Sequence, residues 1–371
     1  MGFSVGVVGA GQLARMMIGP ATELGIDISV FAEADGMSAA MAASMVGDLG
    51  DASALRRFAN GVDVVTFDHE HVPLEVLHEL ANSGIKLHPA PEALLFAQDK
   101  LAMRARLGEL ALPMPSWARV DSAAELTAFI EDHGGQAVAK TPRGGYDGKG
   151  VRVVSRGEDV ASWFDHGPVL AEELVRYTRE LSQVLARRPS GEIALWPVVE
   201  SIQQGGVCAE VIAPAPRASR RLQVEAESIA TAIAENLGVT GVLAVELFET
   251  ADDRLLVNEL AMRPHNSGHW TIDGSLTSQF EQHLRAVLDL PLGSTAPRDR
   301  WSVMVNVLGG PASGTVPDRY PVAMAGYPDV KFHEYGKASR PGRKVGHVTV
   351  GGEDLDDVVA RARAASMALT D

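Results

Sequence analysis

The sequence predicts a mixed α/β and α+β protein: a parallel-sheet N-terminal domain, a glycine-rich middle and a small β-rich C-terminal unit. Three observations lead there. The first hundred residues alternate short apolar runs with amphipathic stretches, the wiring of a parallel sheet. From residue 136 the pattern turns strand-rich and glycine-rich. The length of 371 residues suits two or three domains with sizeable cores.

Residues 4–8 read as a strand, 9–11 as a turn and 13–24 as a helix closed by Gly25. Strands at 26–31 and 62–67 follow, with a helix at 74–82 ending at Gly84. Residues 91–107 read as one helix, stopped by the linker Leu112-Pro113-Met114-Pro115. Strands are expected at 136–140, 150–154, 169–172, 181–187, 193–199 and 207–212. Ile229, Ile233 and Leu237 recur at helical spacing along 222–237, which stops at Gly238. Strands at 242–248 and 255–258 precede an irregular stretch, 263–274, and a helix at 276–288. Past the Pro/Gly/Ser-rich segment 291–297, strands at 301–307 and 347–350 form the terminal unit.

Composition narrows the function. With 33 basic and 48 acidic residues the net charge is −15, which disfavours nucleic-acid phosphates and anionic membranes as partners. A small anion remains admissible where cations gather locally. The lone cysteine, Cys208, excludes an internal disulfide and any thiolate metal cluster, and makes a reducing cytoplasm the expected compartment. No apolar run reaches 18 residues, and residues 3–8 lack the basic lead of a signal peptide, so neither export nor membrane insertion is expected.

Five constellations carry chemistry. Gly9-Ala10-Gly11-Gln12-Leu13-Ala14 directly follows a strand, with Glu33 and Asp35 beyond the next one, as in a dinucleotide-binding fingerprint. The same turn also suits any phosphate monoester, or serves structure alone. Residues 140–150 hold four glycines and three cations between two strands. That many glycines suggest a loop whose N–H groups close over phosphates beside Lys140, with a solvated hairpin as the plain alternative.

Glu246 and Glu259 come third. A hairpin centred between Asp252 and Asp253 sets them opposite each other with Cβ atoms about 5 Å apart, where bare like charges repel. A divalent cation removes that conflict, and oxygen-only ligation suggests Mg²⁺ or Mn²⁺ completed by nucleotide phosphates. A longer loop with unpaired glutamates, or a one-residue slip, would break the pairing. The fourth stretch, residues 258–270, gathers Asn258, Glu259, Arg263, His265, Asn266 and His269. His265 and His269 have zinc-helix spacing, but Pro264 and Gly268 oppose a helix, so Arg263, His265 and Asn266 read instead as a cradle for a small planar anion. Fifth is the cationic turn 340–347, where Arg343 and Lys344 can receive a substrate phosphate or simply meet solvent.

Together these residues resemble the ATP-grasp superfamily and, within it, the N5-carboxyaminoimidazole ribonucleotide synthase family of de novo purine synthesis. The likeness runs from Val5 to about Val350 and is most specific in residues 144–150, 265–270 and 342–347, with Gly9 to Leu13 and residues 66–73 in support. Ala14, Met262 and the 201–206 stretch depart from the usual family pattern.

The resemblance implies an ATP-grasp fold behind a Rossmann-like (preATP-grasp) domain, divided at 1–96, 97–184, 185–296 and 297–371. It implies that Lys100 and Lys140 meet ATP phosphates under a loop of Gly145, Tyr146, Gly148, Lys149 and Gly150. Glu172, Glu173, Leu174 and Val175 would form the adenine hinge, and Glu180 would hold the ribose. Glu246 and Glu259, beside Asn258, would ligate Mg²⁺ (or Mn²⁺). Arg263, His265 and Asn266 would receive bicarbonate. Asp147, Lys344, Arg343, Glu70 and the turn Gly9, Gly11, Gln12 would receive 5-aminoimidazole ribonucleotide. A homodimer is the expected assembly. Other ATP-grasp ligases, such as a formate-dependent glycinamide ribonucleotide transformylase or a biotin-dependent carboxylase subunit, are the alternative within the superfamily. An NAD-dependent dehydrogenase is the alternative outside it.

Overall fold

The computed structural model describes residues 2–145 and 149–370. Its N-terminal sheet has four parallel strands in the order Ala43–Val46, Asp27–Ala32, Ser4–Val8, Val64–Phe67. Helices Gln12–Leu24, Ala52–Ala59 and Leu74–Asn82 serve as connections, so the carboxyl ends of the strands gather Gly9, Glu33 and Asp68 at one edge.

Residues 91–107 do not form the single helix their periodicity suggests. Pro91–Gln98 and Lys100–Glu109 are separate, because Asp99 leaves helical backbone and its Oδ1 caps the second helix, accepting from the N–H of Leu101 at 3.0 Å and Ala102 at 3.1 Å. That break turns Lys100 and Arg104, four residues apart on one helix face, towards the neighbouring lobe. A four-stranded antiparallel sheet follows, ordered Trp117–Val120, Val169–Glu173, Ala137–Lys140, Val151–Val154 and backed by the helix Ala123–Asp132.

The remaining strands make one nine-stranded sheet. Its main path is Leu255–Ala261, Gly241–Thr250, Tyr177–Arg187, Val199–Gln204, Val207–Ala213, Trp301–Leu308, Lys344–Gly352, Lys331–Glu334, with Ile193–Leu195 beside Tyr177–Arg187. Two sequence-drawn boundaries therefore change meaning. The 184/185 division falls inside the strand Tyr177–Arg187. The terminal unit after 297 extends the large sheet directly, with Glu210 opposite Val305. Local composition marks where a chain turns, and hydrogen bonding between distant strands decides which sheet each joins. The helix Leu355–Met367, not foreseen from periodicity, locks this junction as Arg363 grips Glu210 with bonds of 2.7 and 3.2 Å.

The N-terminal domain is seated on the large sheet by apolar packing. Phe280, Leu284 and Val287 of the helix Gln279–Val287 join Val5, Val7, Leu13 and Met17 in one core. Beneath them His283 is fully buried. Its Nδ1 accepts the Val242 N–H at 3.0 Å, so its proton sits on Nε2, 2.7 Å from Thr66 Oγ1. Burial lowers its pKa to about 3. Among the described residues no helix is long and apolar enough to cross a membrane.

Candidate active site

Three adjacent strands of the large sheet present a row of polar side chains on one face. Glu246 pairs with Ser182 on one side and with Glu259 on the other. The pairing of Glu246 with Glu259 matches the sequence arithmetic, but by another route. The hairpin is centred on Asp252, with Glu249 opposite Leu255 and Leu247 opposite Val257. A bulge then inserts Asn258 as an extra residue and shifts the register, bringing Glu259 opposite Glu246. Without it the carried register would face Asn258 to Glu246 and turn Glu259 to the other side of the sheet.

Each carboxylate has a nitrogen donor against it. Lys100 Nζ lies 3.1 Å from Glu259 Oε1, and His265 Nε2 lies 3.2 Å from Glu246 Oε1. Burial works against the Glu246 carboxylate, yet the His265 bond and the charges of Lys344 and Lys140 hold its pKa below the ordinary value. Among the described residues no three His, Cys, Asp or Glu side chains cluster as a metal cage. A hard divalent cation would therefore rest on these two carboxylates and on ligand oxygens, a donor set that fits Mg²⁺.

Above this row sits a closed ring of charge. Lys140 Nζ is 2.7 Å from Glu172 Oε2 and donates to Asn258 Oδ1 at 3.1 Å. Arg104, wholly buried, donates from Nε to Glu172 Oε1 at 2.5 Å and from its terminal nitrogens to Val257 O at 2.9 Å and Asn258 O at 2.8 Å. Burial raises the cost of the Glu172 charge, but Lys140 and Arg104 outweigh it and keep its pKa below the ordinary range.

The hinge residues accordingly divide. The Glu172 side chain is turned into this ion ring, and Glu173 exchanges bonds with Ser116, its N–H donating to Ser116 O and its Oε1 accepting the Ser116 N–H, at 2.9 and 3.0 Å. Leu174 is exposed and Val175 half-buried, just past the strand. Glu180 accepts from the Tyr177 hydroxyl at 3.0 Å, while burial and the Glu246 charge push its pKa up.

At the other end of the row, Arg263 Nε donates to Glu70 Oε2 at 2.9 Å. The second oxygen, Glu70 Oε1, is buried with no hydrogen-bond partner among the described residues. His265 Nδ1 meets Ser267 Oγ at 2.9 Å, and Asn266 Oδ1 accepts from Gln12 Nε2 at 3.3 Å. Lys337 reaches the same place, donating to Gln12 Oε1 at 2.6 Å. Lys344 begins the strand Lys344–Gly352 and its charge is felt at Glu246, His269 and Cys208. Arg343 donates to Ala338 O at 3.2 Å. His269 lies away from any zinc geometry: its ring is buried against Gln279 Nε2 at 2.9 Å while His265 turns to Glu246. Cys208 is buried, and burial pushes its thiol up to about 11, so it supplies no thiolate.

The N-terminal turn is tied to its surroundings. Three N–H groups of the turn and the first helical turn already have carboxylate acceptors within the protein. Gly11 donates to Asp68 Oδ2 at 3.0 Å, Ala14 to Asp68 Oδ1 at 2.7 Å and Ala10 to Glu33 Oε2 at 3.2 Å. The glycines serve this approach, since a Cβ at Gly11 would strike Asp68 and one at Gly9 would strike the His69 ring. The Gln12 side chain faces the anion end, where it meets Asn266 and Lys337. Glu33 also holds His69 Nε2 at 2.8 Å. Burial opposes that ring's protonation, but Glu33 and the Asp68 charge raise its pKa.

Tyr146, Asp147 and Gly148 lie outside the described residues. Around them, the Thr141 N–H donates to Gly150 O at 2.8 Å, and a Cβ on Gly145 would come within 2.7 Å of Lys149 O, so the base of the loop requires glycine. Sequence reading missed Arg104 and Lys337. The i,i+4 spacing of Arg104 from Lys100 was an available signal; Lys337 had none beyond its cationic neighbourhood.

Comparison with known proteins places these features in context. The ribonucleotide synthetase preATP-grasp domain model matches residues 3–98, the ATP-grasp domain model 105–280, and the phosphoribosylaminoimidazole carboxylase C-terminal domain model 302–361. The N5-carboxyaminoimidazole ribonucleotide synthase of Mycobacterium leprae is 50% identical, the match covering 95% of this chain and 84% of that protein. That of Corynebacterium ammoniagenes is 46% identical over 98% of this chain and 91% of its own length. The crystal structure of the Thermus thermophilus synthetase superposes with a TM-score of 0.89 at 37% identity, covering 99% of both chains. The Aspergillus clavatus synthase, solved with ADP and 5-aminoimidazole ribonucleotide, gives 0.89 at 30% identity, covering 99% of this chain and 98% of that one.

Proposed function

The chain belongs to the N5-carboxyaminoimidazole ribonucleotide synthase family, and on that premise we propose that it is an ATP-dependent ligase of purine biosynthesis carboxylating 5-aminoimidazole ribonucleotide with bicarbonate. The observation that carries this reading is the Glu246–Glu259 pair set against Lys100 and Lys140, an arrangement suited to nucleotide phosphates. Phosphoryl transfer needs positioning and charge neutralisation more than covalent help. When ATP enters, its phosphates compete for Lys140 and Lys100, which now face Glu172, Asn258 and Glu259. Mg²⁺ or Mn²⁺ on Glu246 and Glu259 would supply further neutralisation of phosphate charge.

In the reaction a bicarbonate oxygen takes the γ-phosphoryl group, forming carboxyphosphate and ADP. The amine nitrogen of the ribonucleotide then bonds to the carboxyl carbon as the C–O bond to phosphate breaks, and the amine loses a proton. Arg263 and Asn266 suit the planar anion, with His265 between them and Glu246. Asp147 is our candidate for orienting the amine and taking its proton, and His265 is the second. Glu70 Oε1, buried without a partner among the described residues, is an acceptor suited to an N–H of the substrate. Lys344, Arg343 and Lys337 provide positive charge for the ribonucleotide phosphate. The single buried cysteine is compatible with a cytoplasmic setting, and a homodimer is the assembly we expect.

ADP release measured with and without the ribonucleotide and bicarbonate tests the assignment. Turnover should require both; activity with formate in place of bicarbonate would favour the transformylase alternative. Replacing Lys344 with Ala should raise the KM for the ribonucleotide by about 10-fold or more, as for a lost phosphate contact, and leave the KM for ATP close to normal. Equal effects on both constants would remove Lys344 from the ribonucleotide site.

A further inference from the structure

We propose that Arg104 is a positioning residue that holds the two metal-facing carboxylates in register by pinning the bulge at Asn258. The inference rests on the reading of Glu246 and Glu259 as cation ligands.

Consecutive carbonyls of a regular strand point to opposite sides, so one side chain cannot accept or donate to both from the same edge. Arg104 nevertheless donates to two successive carbonyls, Val257 O at 2.9 Å and Asn258 O at 2.8 Å. Only a bulged backbone offers them together. The strand Leu255–Ala261 is the outermost of the large sheet, and among the described residues no further strand fixes its outer edge. Arg104 takes that place, helped by the Val257 N–H, which donates to Pro113 O at 2.8 Å.

The consequence is a matter of register. From the turn to Leu247 and Val257 the hairpin keeps one register, and beyond Asn258 it keeps another, in which Glu246 faces Glu259. Loss of the bulge would turn Glu259 away from Glu246 and Lys100. The planar fork of an arginine is suited to this task, since its Nε is left to bond Glu172 Oε1 at 2.5 Å. Glu172 in turn fixes Lys140, and Lys140 bonds Asn258 Oδ1, so one buried cation couples the bulge to the phosphate-facing lysine. Arg104 bonds Glu172 and the Val257 and Asn258 carbonyls, and so acts on the carboxylate pair through backbone and through Glu172.

The test is Mn²⁺ binding in the presence of ADP, read from the EPR signal of free Mn²⁺, for Arg104→Gln, Arg104→Met and Arg104→Lys. The Gln and Met variants should bind Mn²⁺ about 10- to 100-fold more weakly, as for the loss of a group supporting metal ligands, with Lys recovering part of the affinity. Their KM for the ribonucleotide should stay near that of the parent, which a general loss of structure would not spare. Mn²⁺ affinity within about twofold of the parent in a folded Gln or Met variant would overturn the proposal, since ligand-supporting groups are worth more than that. Should neither variant fold, Arg104→Lys decides: amide exchange over residues 255–261 should accelerate relative to the rest of the sheet, and unchanged exchange sinks the idea. Glu259→Gln is measured alongside. If it binds Mn²⁺ like the parent, the metal reading itself fails, which is distinguishable from failure of Arg104 alone.

Discussion

Replacing Glu259 with Gln should lower turnover on the order of 10²- to 10³-fold, because neutralising phosphate charge through a bound divalent ion is worth several kcal/mol in the transition state. The substitution keeps the side chain's size and leaves the sheet intact, since Glu259 is paired through its backbone with Glu246 and lies on the open face of the row. It also frees Lys100, whose Nζ now rests 3.1 Å from Glu259 Oε1. ATP affinity without metal should therefore hold or improve while metal-dependent turnover collapses. Steady-state ADP release across a Mg²⁺ titration, with the circular dichroism spectrum as a check on folding, measures both. Near-normal turnover would take Glu259 out of the metal role. Glu246→Gln should be similarly damaging and should additionally disturb His265, which would lose the charge its Nε2 faces at 3.2 Å.

Stability should fall steeply as pH drops below about 6.5, the ordinary histidine value. His269, His283 and His347 are fully buried, and burial lowers the pKa of each, for His283 to about 3. A histidine whose pKa is lowered on folding binds its proton more readily in the unfolded chain. Its stabilising contribution is thus complete above the unfolded value near 6.5 and is lost progressively as pH falls towards the folded value. Each such ring changes the folding constant by about tenfold per pH unit within that window, so three together approach 10³-fold per unit. His69 carries the opposite sign. Its raised pKa contributes stability that is complete below 6.5 and fades only as pH rises through the folded value, so it adds no slope in acid. The urea midpoint measured from pH 7.5 to 5 should drop accordingly, and a folded His283→Gln variant should show a shallower slope. A midpoint flat across that range would contradict neutral burial of these rings.

Local pattern carried much of this protein into view. The strand–turn–helix at the N-terminus, the glycine-rich loop after Lys140, the strands of the Glu246 hairpin and the cationic turn before His347 all declare themselves, because turns, caps and period-two alternation are local consequences of residue type. The same local signals located Glu246, Glu259, Arg263, His265 and Lys344 as groups with chemistry to offer.

What pattern could not supply is how distant segments meet. The turn is centred on Asp252, half a residue from the centre that pairs Glu246 with Glu259, and the bulge at Asn258 shifts the register by the amount that brings the two glutamates opposite each other. That bulge depends on Arg104, more than a hundred residues away. That Asp68 accepts the Gly11 and Ala14 amides at the Gly9–Gly11 turn is likewise a relation between distant segments. Lys337 gained meaning only by reaching Gln12. The sequence by itself therefore determined many of the elements, the family and the candidate groups. Register, occupied hydrogen bonds and buried charge partners were decided by the tertiary structure, because each is a relation between segments whose separation in the chain carries no periodic signal.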